Sequence, residues 1–340
     1  MRINWANQFN STGNGYGYTT HARMLRAACE RAGVESAEDA EIAVHIITPD
    51  RFKPIPGRIN VLYTMYECTT LPKEWRVPLQ LTDLLITPCR QNRDFFANYT
   101  KVPIEVCWEG VDTELYRYVE RKEPTLNPFI FLWVGAPNPR KGFEHVGGAW
   151  DIWRKSGKCP TNAWLYCKTS GIKKGEFLER HTNMRLFVDS RNLTNEEMFG
   201  LYEKAHAFLL PSMGEGFGLT LAEAMSTGLP CVYTPWGGPR DFCSEREGFP
   251  VKWHFHAVQT VRFAEDGKGH VVADHTFAAS AEWKDVMRRM EQIYYAYPAA
   301  LERGRRAAER IRGAFTWEHS AASFIEILRR RFGERSADAA

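Results

Sequence analysis

The sequence of 340 residues lacks several features that define special classes of protein. No apolar run approaches the roughly 18–20 residues that a membrane-spanning helix needs, and the first eight residues, MRINWANQ, lack the apolar core of a signal peptide. The eight cysteines include no C-x-x-C pair, which disfavours a disulfide scaffold. We therefore expect a cytoplasmic protein that is soluble or, at most, peripherally attached to a membrane.

Strong charge and metal-binding motifs are also absent. The formal net charge of +3 permits an anionic ligand without indicating a nucleic-acid-binding protein. There is no H-E-x-x-H and no Asp-x-Asp motif, and the alternating His254 and His256 are more typical of a surface strand than of a metal site. The sequence therefore predicts no metal site and no cofactor.

Short apolar runs alternate with amphipathic stretches along most of the chain, which is typical of parallel sheets covered by helices. The runs predict two series of strands: 2–5, 42–47, 61–63, 84–87 and 104–107, then 129–134, 163–167, 185–188, 207–210 and 231–233. Helical patterns fill 19–32, 92–99, 195–205 and 219–227 and continue from about 281 to 331. Two series predict an α/β protein with two doubly wound Rossmann-like domains. We place their boundary in 118–127, where charge and a proline replace periodicity, and residues 255–277 fit no element.

The segment LPSMGEGFGLTLAEAM, residues 210–225, joins the end of an apolar strand to a glycine-rich bend and a strong helix-forming run. A helix that starts after flexible glycines presents unpaired backbone N–H groups and a positive dipole end. Gly216 and Gly218 let the backbone approach a ligand without a Cβ in the way. The segment therefore predicts a diphosphate site.

Two carboxylates flank this helix start. Glu215 and Glu223 are eight positions apart, slightly more than two helical turns, so both can face one ligand at different depths. Carboxylates accept hydrogen bonds from hydroxyls, which a nucleotide sugar offers on its sugar and its ribose. The alternative is that Glu215 caps the helix and Glu223 is a solvated surface charge. The two residues alone leave both interpretations open.

The pattern P-S-x-x-E-G-F-G-L-x-x-x-E-A-M resembles the signature of the retaining GT-B glycosyltransferases, a group that includes sucrose synthase and bacterial mannosyltransferases. Further motifs fall in the order expected for that group: Gly110-Val111-Asp112, Val134-Gly135, Arg140-Lys141-Gly142, Leu201-Tyr202-x-x-Ala205, Gly228–Val232, Gly237-Gly238 and Phe315-Thr316-Trp317. The resemblance covers nearly the whole chain. It implies a GT-B fold with two Rossmann-like domains facing across a cleft. Residues 1–120, completed by a last helix over about 315–331, would form the acceptor-side domain, and residues 125–313 the nucleotide-sugar domain.

The resemblance also implies roles for individual residues. Lys141 would neutralise the diphosphate leaving group and Glu215 would bind the transferred sugar, so these two are the candidate catalytic residues. The implied donor-binding residues are Gly13, Gly15, Arg140, Gly216, Phe217, Gly218, Leu219, Thr220 and Glu223, the last of them at the ribose. Where the family often has an arginine, this chain has Ala136. Arg140 either supplies the missing charge or is an exposed loop cation.

The implied activity is metal-independent transfer of a hexose from a UDP- or GDP-sugar, which is a co-substrate, to an acceptor hydroxyl with retention of configuration. The alternatives are a sugar-nucleotide epimerase of the same architecture and a non-catalytic nucleotide-sugar-binding protein. The acceptor is a glycan, a lipid-linked sugar or a small molecule. A hydroxylated base in DNA is a minority option, in which scattered cations would contact phosphates: Arg51, Lys53, Arg58, Arg117, Arg121 and Lys122. The run 329–331, all arginine, together with Arg335, equally suits anionic lipid head groups, and His21 is expected to be a packed or surface residue.

Overall fold

The computed structural model describes residues 1–6, 17–122, 128–136, 138–170, 178–263 and 269–333, and for 259–263 and 269–275 it describes the backbone alone. Contacts divide the chain into two compact units. The first domain comprises Met1–Gly110, Ala257–Phe277 and Phe315–Ala340, and the second comprises Val111–His256 and Ala278–Ala314. The chain first passes between them at Gly110–Val111, earlier than the segment 118–127 in which we expected the boundary.

The first domain contains a six-stranded parallel sheet in the order β2-β1-β3-β4-β5-β6. Its strands are β1 (Arg2–Trp5), β2 (Glu35–Ser36), β3 (Ile42–Ile46), β4 (Ile59–Tyr63), β5 (Leu84–Thr87) and β6 (Ile104–Val106). Strands β3, β4 and β5 are buried along their whole length. Parallel strands covered on both faces need such continuous burial, which explains their unbroken apolar runs.

The second domain contains a seven-stranded sheet in the order β13-β12-β11-β7-β8-β10-β9, with β9 antiparallel to β10 and the other described pairs parallel. Its strands are β7 (Phe129–Val134), β8 (Ala163–Lys168), β9 (Leu178–His181), β10 (Leu186–Asp189), β11 (Ala207–Leu210), β12 (Cys231–Tyr233) and β13 (Phe249–Pro250). The strand order reverses between β7 and β11. At such a switch point the loops that follow the two strands diverge and leave a crevice for a ligand.

Helices cover these sheets. They are α1 (Tyr18–Arg31), α2 (Arg76–Gln80), α3 (Arg90–Phe96), α4 (Phe143–Lys155), α5 (Asn195–Lys204), α6 (Leu219–Ser226), α7 (Pro239–Phe242), α8 (Trp283–Tyr295), α9 (Tyr297–Ala314) and α10 (Trp317–Phe332). In the second domain, the rings of Phe131, Trp150 and Trp153 pack in the core between the sheet and α4. Gly148 lies against the Trp283 ring, so α4 and α8 pack closely.

The last helix, α10, belongs to the first domain and packs against α1. Trp5 stacks on Phe324 with ring centroids 6.0 Å apart. Arg331 Nε lies 2.8 Å from Glu105 Oε1, and Arg330 Nη2 lies 3.0 Å from Glu105 Oε2. Two of the four arginines proposed for lipid contact are therefore paired within the domain, and Arg335 lies outside the described residues.

The ten predicted strands are all present, with ends displaced by at most two residues, and the consecutive helices after 281 are confirmed. The prediction of two doubly wound sheets is also confirmed. The described parts of 255–277, a segment that fit no element, belong to a two-stranded sheet of β14 (Trp253–Phe263) and β15 (Gly269–Ala281). His254 and His256 are both exposed on β14, which confirms the surface-strand interpretation. A strand with exposed residues in succession gives no clear alternation, so its pattern is weak.

The contacts of Arg121 explain why the start of the segment 118–127 belongs to the second domain. Its guanidinium group donates to the carbonyl oxygens of Tyr202, at 2.8 Å, Ala205, at 3.2 Å, and Thr227. Burial lowers the pKa of Arg121 to about 10. These contacts tie the segment to α5 and α6 of the second domain, and they remove Arg121 from the cations proposed for phosphates of DNA.

Candidate active site

The two loops that follow β7 and β11 meet at the switch point of the second domain. Strands β7 and β11 are parallel neighbours, so their carboxyl ends lie at the same edge of the sheet. The loop after β7 carries Arg140 and Lys141, and the loop after β11 carries Glu215. The fold thus brings Arg140 and Lys141 close to Glu215, which lies about 75 positions later in the sequence.

Local chemistry fixes the lysine-bearing loop. A single 3-10 turn, Pro139–Lys141, begins at Asn138, whose side chain accepts from the Lys141 N–H at 3.2 Å. Gly142 follows with φ of 75°, and a Cβ there would lie 2.2 Å from the carbonyl oxygen of Pro211. Only glycine permits this left-handed conformation and this close approach. The two loops are therefore held against each other by their backbones.

A compact charge cluster results. Lys141 Nζ lies 2.9 Å from Glu215 Oε1 and 2.8 Å from Oε2. Arg140 Nη1 donates to the carbonyl oxygen of Gly214 at 2.6 Å and lies 3.7 Å from Glu215 Oε2. The Glu215 side chain is 6% exposed and that of Lys141 is 20% exposed. Arg140 is therefore not an isolated loop cation, because it binds the signature loop and adds charge beside Glu215.

The glycine-rich turn leads directly into α6. Gly218 has φ of 105°, and α6 begins at Leu219 without a side-chain cap. The N–H groups of Leu219 and Thr220 have no acceptor one turn earlier, as at any helix start, and both residues are half-buried. This end of the helix therefore offers backbone donors and a positive dipole end to an anion.

Gly237 and Gly238 pack against the backbone of the glycine-rich turn. The N–H of Gly238 donates to the carbonyl oxygen of Glu215 at 2.9 Å. A Cβ on Gly237 would lie 2.2 Å from that same oxygen, and one on Gly238 would lie 2.3 Å from the carbonyl oxygen of Phe217. Phe217 is buried and packs on Phe242 with centroids 4.9 Å apart. The position of Glu215 is thus set by close backbone packing, and it does not cap the helix.

Glu223 has different surroundings. It lies in the second turn of α6 and is half-buried. Tyr202 Oη donates to its Oε2 at 3.0 Å, and the hydroxyl of Tyr116 also donates to the carboxylate. Burial raises the pKa of Glu223 to about 7, and the two hydroxyls act in the opposite direction. Glu223 is therefore neither a solvated surface charge nor part of the ion cluster.

Sequence reasoning missed one polar group at the same edge of the sheet. Arg191 binds both carboxylate oxygens of Asp189, at 3.0 and 2.8 Å, and Tyr166 Oη donates to Asp189 at 2.7 Å. Burial opposes ionisation, but these hydrogen bonds lower the pKa of Asp189. The buried Lys168 donates to the carbonyl oxygens of Thr169, at 2.5 Å, and Arg191, at 2.7 Å. The sequence signal that could have indicated Lys168, Asp189 and Arg191 is that each follows a predicted strand.

The remaining candidates lie elsewhere. Gly13 and Gly15 fall outside the described residues. His21 is fully buried, with Nδ1 3.4 Å from Glu109 Oε1, and burial lowers its pKa to about 3, so it is a packed neutral residue.

In the described ranges, no group of three or more His, Cys, Asp or Glu side chains could hold a metal ion. Across those ranges, no helix has the length and hydropathy needed to cross a membrane.

Comparison with solved structures identifies the architecture. Sucrose-phosphate synthase from Thermosynechococcus elongatus aligns over 97% of this chain and 82% of its own, with a TM-score of 0.63 and 15% identity. The chain has the GT-B fold. Anabaena HepE, solved in complex with UDP and glucose, gives a similar GT-B alignment over 92% of this chain and 82% of its own, with a TM-score of 0.62 and 12% identity.

Sequence comparison agrees for the second domain of this GT-B chain. Residues 128–261 match the family model of glycosyl transferases group 1. D-inositol 3-phosphate glycosyltransferase from Corynebacterium urealyticum is 28% identical over 118 residues, which are 32% of this chain and 27% of that protein. The match thus spans about a quarter of that relative's length. The family-model match includes Arg140, Lys141, Glu215 and Glu223.

Proposed function

We propose that the chain is a retaining glycosyltransferase that moves a hexose from a nucleotide-diphosphate sugar to an acceptor hydroxyl. The observation that carries this proposal is the convergence of Lys141, Arg140 and the start of α6 at the switch point of the second domain. Two cations and a helix N-terminus aimed at one crevice suit a diphosphate. The match of residues 128–261 to glycosyl transferases group 1 supports glycosyl transfer as the reaction class.

In this proposal the main catalytic task is stabilisation of the leaving group. The bond between sugar and phosphate stretches, positive charge develops on the sugar, and negative charge builds on the departing diphosphate. Lys141 and the N–H groups of Leu219 and Thr220 would stabilise that negative charge from fixed positions, which lowers the barrier without reorganisation. The leaving phosphate would accept the acceptor's proton, so no separate base is assigned.

The Lys141–Glu215 ion pair fits this role. An ammonium group has three donors, so Lys141 can keep a bond to Glu215 and still donate to a phosphate oxygen. Glu215 can in turn accept from hydroxyls of the transferred sugar. The pair would therefore hold both side chains in place before the donor arrives, and Arg140 would supply the charge absent at Ala136. Glu223 would accept from the ribose hydroxyls.

We further propose that the donor is a UDP- or GDP-sugar and that transfer needs no metal ion or cofactor, because two cations and helix N–H groups already face the diphosphate. The complex of the structural neighbour HepE with UDP and glucose supports a uridine donor. The acceptor would be a glycan, a lipid-linked sugar or a small molecule. Activity should then survive EDTA. Loss of transfer in EDTA that Mg²⁺ or Mn²⁺ restores would contradict metal independence.

A thermal-shift screen of UDP, GDP and their sugars tests donor binding, since a ligand at 100 times its Kd stabilises by about 2.7 kcal/mol. If no nucleoside diphosphate shifts the Tm at millimolar concentration, the donor proposal is wrong.

Transfer or slow hydrolysis of a labelled donor separates an enzyme from a binding protein, and conversion of the donor sugar to its epimer would indicate an epimerase. Retention of duplex DNA on a gel, weakening steeply with salt, would support the nucleic-acid acceptor.

A further inference from the structure

Two tyrosine hydroxyls from outside α6 hold the Glu223 carboxylate. Tyr202, at 3.0 Å, lies on α5, and Tyr116 lies in the segment that follows Val111. Their rings meet edge to face with centroids 5.6 Å apart. Hydrogen bonds to an ionised carboxylate are about twice as strong as bonds between neutral groups, so each hydroxyl favours the charged form.

Other contacts fix both tyrosines. Ser226 Oγ donates to the carbonyl oxygen of Tyr116 at 2.7 Å. Arg121 donates to the carbonyl oxygen of Tyr202 at 2.8 Å, and the Tyr202 ring is fully buried against Phe208. Neither hydroxyl therefore depends on Glu223 for its position. The pair is organised in advance to receive a carboxylate.

Within the part of the chain that the structure describes, no cation contacts the Glu223 carboxylate. Among the described residues, the groups that act on Glu223 are the two tyrosines, and the thiol of Cys231 faces Tyr202. Burial raises the pKa of Glu223 to about 7, and the tyrosine hydroxyls lower it. Burial also raises the pKa of Tyr202 well above its usual value, so this hydroxyl remains a donor at neutral pH. The balance between burial and two hydrogen bonds thus decides whether Glu223 is charged near neutrality.

We propose that Tyr116 and Tyr202 are positioning residues that shift Glu223 toward its ionised form and leave it free to accept both hydroxyls of the donor's ribose. This inference rests on the proposed function, which places the ribose at Glu223. An ionised carboxylate has about four acceptor sites. Two are used by the tyrosines, and the remaining two match the two hydrogen bonds that a 2′,3′-diol can donate. A protonated acid would lose one of these acceptors, so the site would prefer ribonucleotides and a charged Glu223.

The test uses Tyr202→Phe and Tyr116→Phe, which remove one oxygen each and keep the rings. Binding of UDP-glucose, with GDP-mannose in parallel, is measured by calorimetry between pH 6 and 8.5. Wild-type affinity should rise with pH, with a midpoint near 7. Loss of one hydroxyl should move that midpoint up by about one pH unit, so that binding is about fivefold weaker at pH 7 and within about twofold of wild type at pH 8.5.

Tyr233→Phe is the matched control, because it removes a buried hydroxyl of the same domain that donates to the carbonyl oxygen of Cys243 at 3.0 Å. Its pH profile should match that of the wild type. The 2′-deoxy form of the donor should bind the wild type about tenfold more weakly than the ribose form, and should show a smaller pH dependence. Equal weakening of the two tyrosine variants at every pH, or no weakening, would overturn the inference alone. If neither nucleotide sugar binds the wild type, the proposed function fails and the inference fails with it.

Discussion

Glu215 and Glu223 lie eight positions apart in one segment, yet their surroundings are opposite. Glu215 contacts Lys141 through both oxygens and has Arg140 within 3.7 Å. The described contacts of Glu223 are neutral hydroxyls, those of Tyr202 and Tyr116. The first carboxylate is paired with two cations, whereas burial raises the pKa of the second to about 7. The spacing of the signature sets where the carboxylates lie, but their neighbours set how they behave.

This difference suggests a division of work. Lys141, Glu215 and the start of α6 would act at the reacting bond, where charge changes between ground and transition states. Glu223 would act at the nucleotide, where the same contact exists throughout the reaction. Contacts made only in the transition state raise kcat, whereas contacts present in both states mainly lower KM. Substitutions at the two ends should therefore affect different kinetic constants.

The largest effect is expected for Lys141→Ala. With Ala136 where the resemblance implies an arginine, Lys141 would carry much of the proposed leaving-group stabilisation. Turnover of the nucleotide sugar should fall by about 10²–10³-fold, the range for loss of one preorganised donor. Lys252→Ala, which removes an exposed lysine of the same domain, serves as control and should keep normal turnover. Wild-type turnover in Lys141→Ala would rule out the phosphate-cradle mechanism.

Glu215→Ala should lower turnover by about 10–100-fold, because Glu215 would touch the sugar whose charge changes and also orients Lys141. The donor KM should change less than kcat. Steady-state kinetics with varied donor measures both constants. Glu223→Ala provides the comparison within the signature, since it should mainly raise the donor KM. A Glu215→Ala variant that changes only KM would contradict the proposed division of work.

Arg140→Ala should have a smaller effect, about tenfold on kcat, because Lys141 remains in place. The guanidinium group also donates to the carbonyl oxygen of Gly214, so the donor KM should rise slightly as the loop loosens. Kinetics of Arg140→Ala and Arg140→Lys separates charge from hydrogen bonding, since lysine restores only the charge. A loss as large as that of Lys141→Ala would show that Arg140 fully replaces the absent arginine. Kinetics like those of the wild type would show that it does not compensate.

The sequence was sufficient to predict the two sheets, because buried parallel strands appear as short apolar runs between helical patterns. The sequence did not predict strands that are very short or that expose several residues in succession. Strands β2 and β13 have two residues each, too few to show any periodicity. The Arg121 anchor also escaped prediction, since a charged segment that contains a proline is typical of a linker. Its role depends on carbonyl groups in and just after α5 and α6, which only folding brings near.

The candidate site shows the same limit. Glycine spacing and a predicted strand end indicated the loop that carries Glu215, and the family resemblance indicated the loop that carries Lys141. The direct ion pair between those two residues was not predicted, because it depends on the close approach of Gly142 to Pro211. The hydroxyl of Tyr202 was not predicted either. Its motif marks an amphipathic helix, and nothing in the spacing from 202 to 223 indicates a contact.

The smallest predicted effect concerns stability and has opposite signs at the two glutamates. Burial raises the pKa of Glu223 to about 7, whereas a glutamate in the unfolded chain titrates near about 4.3. The native state therefore binds this proton more tightly, so its contribution favours folding below about pH 4 and is lost as the pH rises through about 7. Glu223→Gln removes that dependence and should melt above the wild type at pH 8.

Because Glu223 is partly exposed, the gain should be about 1 kcal/mol, or about 2–4 °C in Tm for a domain of this size. Below about pH 4 the variant and the wild type should melt alike. Glu215→Gln in the same calorimetric series should melt below the wild type, because it leaves the partly buried Lys141 without its carboxylate. Because the two variants carry the same substitution eight positions apart, the difference between their Tm values reports the different surroundings of the two glutamates. A Glu223→Gln variant that melts below the wild type at pH 8 would show that its carboxylate is stabilised by a cation, contrary to the neutral surroundings described here.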